Sequence, residues 1–132
     1  SKPQPVLESR QPLDLSDQRS VDLTVLEDLK EMMDGNMADF RELLNCYATD
    51  CPMYLQQMQA AILHQDRKTL ERLAHTLRSS SASLGAVQLA RLCQEIEKTA
   101  NTANMVEITN KLALVEAEYQ EAINILQNLS MV

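Results

Sequence analysis

The sequence predicts an all-α protein, an antiparallel up-down four-helix bundle with a short additional N-terminal helix capping one end. Three observations carry this. Apolar residues recur by threes and fours through most of the chain, which is the spacing of one helical face. Only two glycines occur in 132 residues, with one Phe, three Tyr and no Trp, so hairpins have little material and helix formers dominate. Helix starts and stops also lie close together along the chain, and short connections between long amphipathic helices make antiparallel neighbours.

Residues 1–20 carry Pro3, Pro5 and Pro12 among Ser, Gln and Lys, the composition of a linker or mobile arm. The bundle domain is expected over 21–132. That arm suggests a piece of a longer protein, although a plain N-terminal tail fits the same residues. A first helix over about 22–33 turns Val25, Leu26, Leu29 and Met32/Met33 inward. Thr24 and Glu27 suit a capping box, and Gly35 a C-terminal stop. A second helix, about 37–64, carries Phe40, Leu43/Leu44, Tyr47, Cys51, Tyr54/Leu55, Met58 and Ala61/Ile62. Pro52 within it predicts a kink or a break. The third, about 67–84, opens on Asp66 as N-cap and ends at Gly85. The fourth, about 86–101, puts Leu89, Leu92, Cys93 and Ile96 on one side. The last, about 105–129, runs Met105, Ile108, Leu112, Val115, Tyr119, Ala122, Leu126 and Leu129, with Asn104 as cap and Glu107 three residues on.

Composition also excludes. A formal charge of −7 is wrong for a nucleic-acid binder, which needs a clustered basic surface. Arg67, Lys68, Arg72 and Arg78 nevertheless gather in one stretch, a docking patch for an acidic partner or simply a solvated face. Three cysteines in unpaired spacing suit free thiols in a reducing compartment, here the cytoplasm. Cys46, Cys51 and the histidines match no zinc spacing. No stretch has the length of a membrane span, and no Gly-rich nucleotide loop or Walker lysine motif is present. The chain therefore has no means of binding ATP, and no cofactor or metal of its own is expected.

The chemistry concentrates in the third helix. Leu70, Leu73, Leu77, Ser80/Ser81 and Leu84 form its apolar stripe. At about 100° per residue His75 lies roughly 170° from the stripe's centre, on the outer face. Around it lie Lys68 and Arg72 before, and Arg78, Ser79 and Ala82 after. An exposed imidazole among cations and small side chains suits a group that receives and gives up an anion. Glu97, on the flank of the antiparallel fourth helix, can accept a hydrogen bond from Nδ1 and leave Nε2 facing outward; as an alternative, Glu97 is an ordinary solvated residue. Arg78 can pair with phosphoryl oxygens or an acidic pocket. His64 reads as surface, and Ser80 and Ser81 as small packing residues bonded back to carbonyls.

The run Ala74-His75-x-Leu77-Arg78-x-Ser80-Ser81-x-x-Leu84-Gly85-Ala86, continued by Leu89-x-x-Leu92-Cys93-x-x-x-Glu97, resembles the signature of histidine-containing phosphotransfer (HPt) domains of multistep phosphorelays. Asp22-Leu23-x-Val25-Leu26 and Phe40-x-x-Leu43-Leu44 extend the resemblance, which spans roughly 21–127. It implies a phosphorelay carrier whose His75 accepts a phosphoryl group from a receiver aspartate and passes it to another receiver. It implies Glu97 as the orienting residue, Arg78 where the family usually has Lys, and Ser79 where it mostly has Gly. Lys68, Arg72, Ser79 and Ala82 become docking residues and Gly85 a structural one. The partners implied are receiver domains of a hybrid sensor kinase, such as a bacterial inner-membrane one, and of a response regulator. Mg²⁺ is expected only in the partner's pocket. Two other classes fit some of the features: a non-catalytic interaction bundle, and a sensor-kinase dimerisation bundle. Four long helices in one chain bury their own stripes, which favours a monomer.

Overall fold

The computed structural model describes residues 19–130; the arm expected over residues 1–20 lies almost wholly outside them. Five helices follow in order: α1 (Leu23–Met32), α2 (Met37–Leu63), α3 (Arg67–Ser83), α4 (Val87–Thr99) and α5 (Met105–Ser130). No strand occurs among the described residues.

The long helices form a closed ring in which α2 packs on α3, α3 on α4, α4 on α5, and α5 back on α2. Their direction is visible in the side-chain bonds between α3 and α4. His75 meets Glu97, and Glu71, four residues earlier, meets Asn101, four residues further on and just past the end of α4. That is antiparallel packing, imposed by connections of residues 64–66 and 84–86 that are too short for any other arrangement. The predicted stripes of the long helices meet inside the ring, except for Leu43, which is exposed. Phe40, Met58, Leu70, Leu77, Leu89, Ile96, Ile108, Val115 and Leu126 are fully buried, each removing apolar surface worth about 1.5–3 kcal/mol when wholly taken from water.

Helix ends follow local chemistry. Asp66 caps α3 by accepting from the Thr69 N–H and hydroxyl, and Asn104 caps α5 by accepting from the Glu107 N–H. Two ends differ from expectation. Asp22, not Thr24, caps α1, because its carboxylate accepts the Thr24 N–H at 2.9 Å. The left-handed residue closing α1 is Asp34 (φ 54), with Gly35 (φ 71) one step later. Their N–H groups return to Glu31 and Lys30 as a Schellman pair. Met32 is 81 % exposed rather than inward, since this short helix buries only a narrow stripe around Leu26.

At Pro52 no break occurs, for α2 is helical throughout. Proline has no N–H to give the Ala48 carbonyl four residues back. The Tyr119 hydroxyl of α5 donates to that carbonyl at 3.3 Å instead. A neighbouring helix thus satisfies the group that proline orphans.

Gly85 joins the N-terminal segment to the bundle. It has φ +80, and a Cβ placed there would lie 2.8 Å from the Asp22 carbonyl oxygen. The Asp22 N–H donates to the Gly85 carbonyl at 2.7 Å, with Val21 buried beside it at 4 % exposure. Only glycine allows the backbones so close at that φ.

Candidate functional site

Helical phase puts His75 on the outside of α3, and its side chain is 58 % exposed. Its Nδ1 lies 2.7 Å from Glu97 Oε2. Glu97 is on α4, whose antiparallel course brings it level with His75. A carboxylate oxygen at that distance accepts and cannot face a lone pair, so Nδ1 carries a proton, and in the neutral ring Nε2 keeps its lone pair.

Arg78, one turn along α3, donates from Nε to the other oxygen, Glu97 Oε1, at 2.8 Å. Its Nη2 lies 3.0 Å from Nδ1; with Nδ1 protonated, that contact is packing and not a bond. Partial burial alone would raise the Glu97 carboxyl. The hydrogen bonds from His75 and Arg78 and the guanidinium charge outweigh it and hold the group below its ordinary value. The three side chains thus form a linked cluster centred on one ionised carboxylate.

Lys68, Arg72, Ser79 and Ala82 are all exposed, and helical phase sets them along the ridge that carries His75. Ser79 and Ala82 add little bulk there. Arg67, the fourth member of the basic run, faces elsewhere. Its Nη1 donates to the carbonyls of Ala100 and Ala103 at 2.9 and 2.7 Å, satisfying groups at the end of α4. A cation in the first turn of a helix opposes the macrodipole, but Lys68 shares that turn and is exposed, so nothing in the sequence singles out Arg67. Gly85 holds the N-terminal segment, as described above. His64 is an exposed C-cap. Ser80 is half-buried and donates back to Thr76 and Leu77 carbonyls, whereas Ser81 is fully buried.

Beneath the ridge Tyr47 and Ser81 share a buried hydroxyl–hydroxyl bond of 2.7 Å. Burial pushes the Tyr47 hydroxyl well above its ordinary value and the Cys51 and Cys93 thiols up to about 12. These thiols are packing groups, not nucleophiles. On the flank of α3 away from Glu97, a groove of about 290 Å³ runs between α2 and α3, lined by Leu43, Cys46, Tyr54, Thr76, Ser83 and Leu84 among others. Sequence spacing gave no hint of it, because it depends on how far apart two helices sit. Among the described residues no group of three or more His, Cys, Asp or Glu could hold a metal ion. No helix there is long and apolar enough to cross a membrane.

A helical bundle that presents one exposed, carboxylate-held histidine is the form of a histidine phosphocarrier. The family profile of the Hpt domain matches residues 42–128, and the chain belongs to that family. It is similar to Multistep phosphorelay regulator 1 of Schizosaccharomyces pombe, with 29 % identity over 84 residues. That match covers 63 % of this chain and only 28 % of the relative's length. Among solved structures it is similar to histidine-containing phosphotransfer protein B (HptB) from Pseudomonas aeruginosa PAO1. There the TM-score is 0.78 at 25 % identity, covering 85 % of this chain and 95 % of the other. The HPT domain of a Shewanella sensor hybrid histidine kinase shares the fold, with a TM-score of 0.65 at 22 % identity, covering 84 % and 98 %. The family and the similar structures give this domain the character of a phosphotransfer carrier.

Proposed function

We propose that His75 is the residue that carries the phosphoryl group, between receiver domains of a hybrid sensor kinase and of a response regulator. The observation that supports this most is the 2.7 Å bond from Nδ1 to Glu97, which leaves the lone pair on the exposed side of the ring.

The step is a displacement at phosphorus. The Nε2 lone pair forms the N–P bond as the bond from phosphorus to the receiver's aspartyl oxygen breaks, and that oxygen leaves with the electron pair as carboxylate. No proton needs to move. The ring gains positive charge while Nδ1 stays protonated, and the Glu97 carboxylate stabilises that charge where it develops. Reversal returns the group to a second receiver aspartate, so flow runs either way. Mg²⁺ belongs to the receiver's acidic pocket and would neutralise phosphoryl oxygens there; this chain supplies the nucleophile, its tautomer and an approachable surface. Lys68 and Arg72 favour an acidic partner, and Ser79 and Ala82 leave it room. A domain working this way acts in the cytoplasm, as a monomer, whether or not its parent chain is anchored in a membrane.

The test is to incubate the domain with a receiver domain charged by radiolabelled acetyl phosphate. His75 takes acid-labile, alkali-stable label. His75→Gln keeps the helical circular dichroism spectrum and takes none. Label persisting on His75→Gln, or none on the unaltered domain from any receiver, overturns the assignment.

A further inference from the structure

A carboxylate held at one oxygen still swings about its terminal torsion, which is broad and nearly two-fold. In this site neither oxygen is left to do so: His75 Nδ1–H occupies Oε2 at 2.7 Å and Arg78 Nε–H occupies Oε1 at 2.8 Å. Both donors come from one helix, a turn apart, and they converge on a single acceptor from the next helix. From this geometry, and resting on the carrier reading of His75, we infer that Arg78 is a positioning residue that acts through Glu97. It clamps the carboxylate in the orientation that keeps the proton on Nδ1, and does not stand free as a cation awaiting the phosphoryl group.

Three features of the cluster argue for the clamp. The donor engaged is Nε, the inner nitrogen of the guanidinium, which is too near the stem to follow a group arriving at outward-facing Nε2. The side chain lies against the seam between α3 and α4, 33 % exposed where His75 is 58 % exposed. The Nη2 group sits 3.0 Å from Nδ1, so the guanidinium keeps to the Nδ1 side of the ring and not to the outward-facing Nε2. Its Nε holds Glu97 Oε1, so the carboxylate stays turned with Oε2 toward Nδ1. Lysine at this position would have no inner donor and would offer a single point charge on a flexible stem.

The tautomer can be read without any phosphoryl transfer, from the ring ¹⁵N shifts of His75 in the unphosphorylated domain, with His75→Gln identifying its signals against those of His64. The clamp predicts an Nδ1–H ring in the unaltered protein and a several-fold larger Nε2–H share in Arg78→Gln. Label transfer from a phosphorylated receiver falls about tenfold in the same variant, the scale expected when a residue supporting a reacting histidine is lost. Arg78→Lys restores the charge without the inner donor, so its Nε2–H share stays raised. It also covers the case in which Arg78→Gln fails to fold. If both variants keep the ring as Nδ1–H, the clamp is wrong, and slowed transfer would then mean a direct contact with the phosphoryl group. Failure of the unaltered domain to take label would overturn the carrier assignment and leave the tautomer result standing alone.

Discussion

Gly85→Ala should loosen the seam between the N-terminal segment and the bundle, and Gly35→Ala provides its internal control. Both glycines have positive φ, +80 and +71, but a Cβ at Gly35 meets nothing within 4 Å. That variant bears only the strain of a left-handed alanine, about 1 kcal/mol, reduced by the lower entropy of its unfolded chain. At Gly85 the same strain is joined by a contact of 2.8 Å with the Asp22 carbonyl oxygen, and Val25 Cβ is 3.4 Å away. Backbone cannot rotate out of the way as a side-chain tip can. Asp22 must therefore retreat by several tenths of an ångström, which stretches and weakens its 2.7 Å bond to the Gly85 carbonyl, at up to about 1 kcal/mol. Retreat also uncovers part of Val21, now 4 % exposed, at about 1 kcal/mol for half of an aliphatic side chain. Gly85→Ala should thus cost about 3 kcal/mol, roughly 2 kcal/mol more than Gly35→Ala. Urea unfolding of the two variants gives the difference, and hydrogen exchange should show earlier opening in α1. Equal losses within about 0.5 kcal/mol would refute the argument, since the contacts with Asp22 and Val25 are what distinguish the two sites.

Two further outcomes follow from particular contacts. Tyr119→Phe removes the donor that serves the Ala48 carbonyl beneath Pro52 and should cost about 1 kcal/mol. In a Pro52→Ala background, where a backbone N–H returns to that carbonyl, the same change should cost measurably less; strict additivity in the double-mutant cycle would remove the explanation for the unbroken helix. Glu97 is held below its ordinary value of 4.5, so its bonds stabilise the fold above that pH, and the contribution is lost as pH falls through the lowered value. A carboxyl ¹³C titration should therefore place Glu97 below 4.5 in the unaltered domain and nearer to it when His75 and Arg78 are both replaced by Gln. A midpoint at or above 4.5 in the unaltered domain would contradict the donor arrangement.

Much of this protein could be read from spacing. The stripes of α2 to α5 are set by period, and Asp66 and Asn104 were legible as caps because each precedes an apolar run with its acceptor in reach of the third residue on. At the start of α1 spacing pointed to Thr24 where Asp22 is the cap, because the deciding fact is which backbone angle the chain adopts on entering the helix. Met32 was misplaced for a related reason: how much of a short helix is covered depends on what lies over it. Pro52 shows the same limit from the other side, since its helix survives through a hydroxyl contributed from 67 residues further along the chain, at Tyr119.

By itself, then, the sequence determined the helices, their antiparallel order, and the outward placement of His75 with Glu97 level beside it, because these follow from a rotation per residue and from short connections. Only the tertiary structure decided that Arg78 turns toward Glu97 instead of outward, that Arg67 closes the end of α4, and that a groove opens beside the histidine. Such facts depend on distances between separate helices, and hydrogen bonding is sensitive to tenths of an ångström that no periodic pattern encodes.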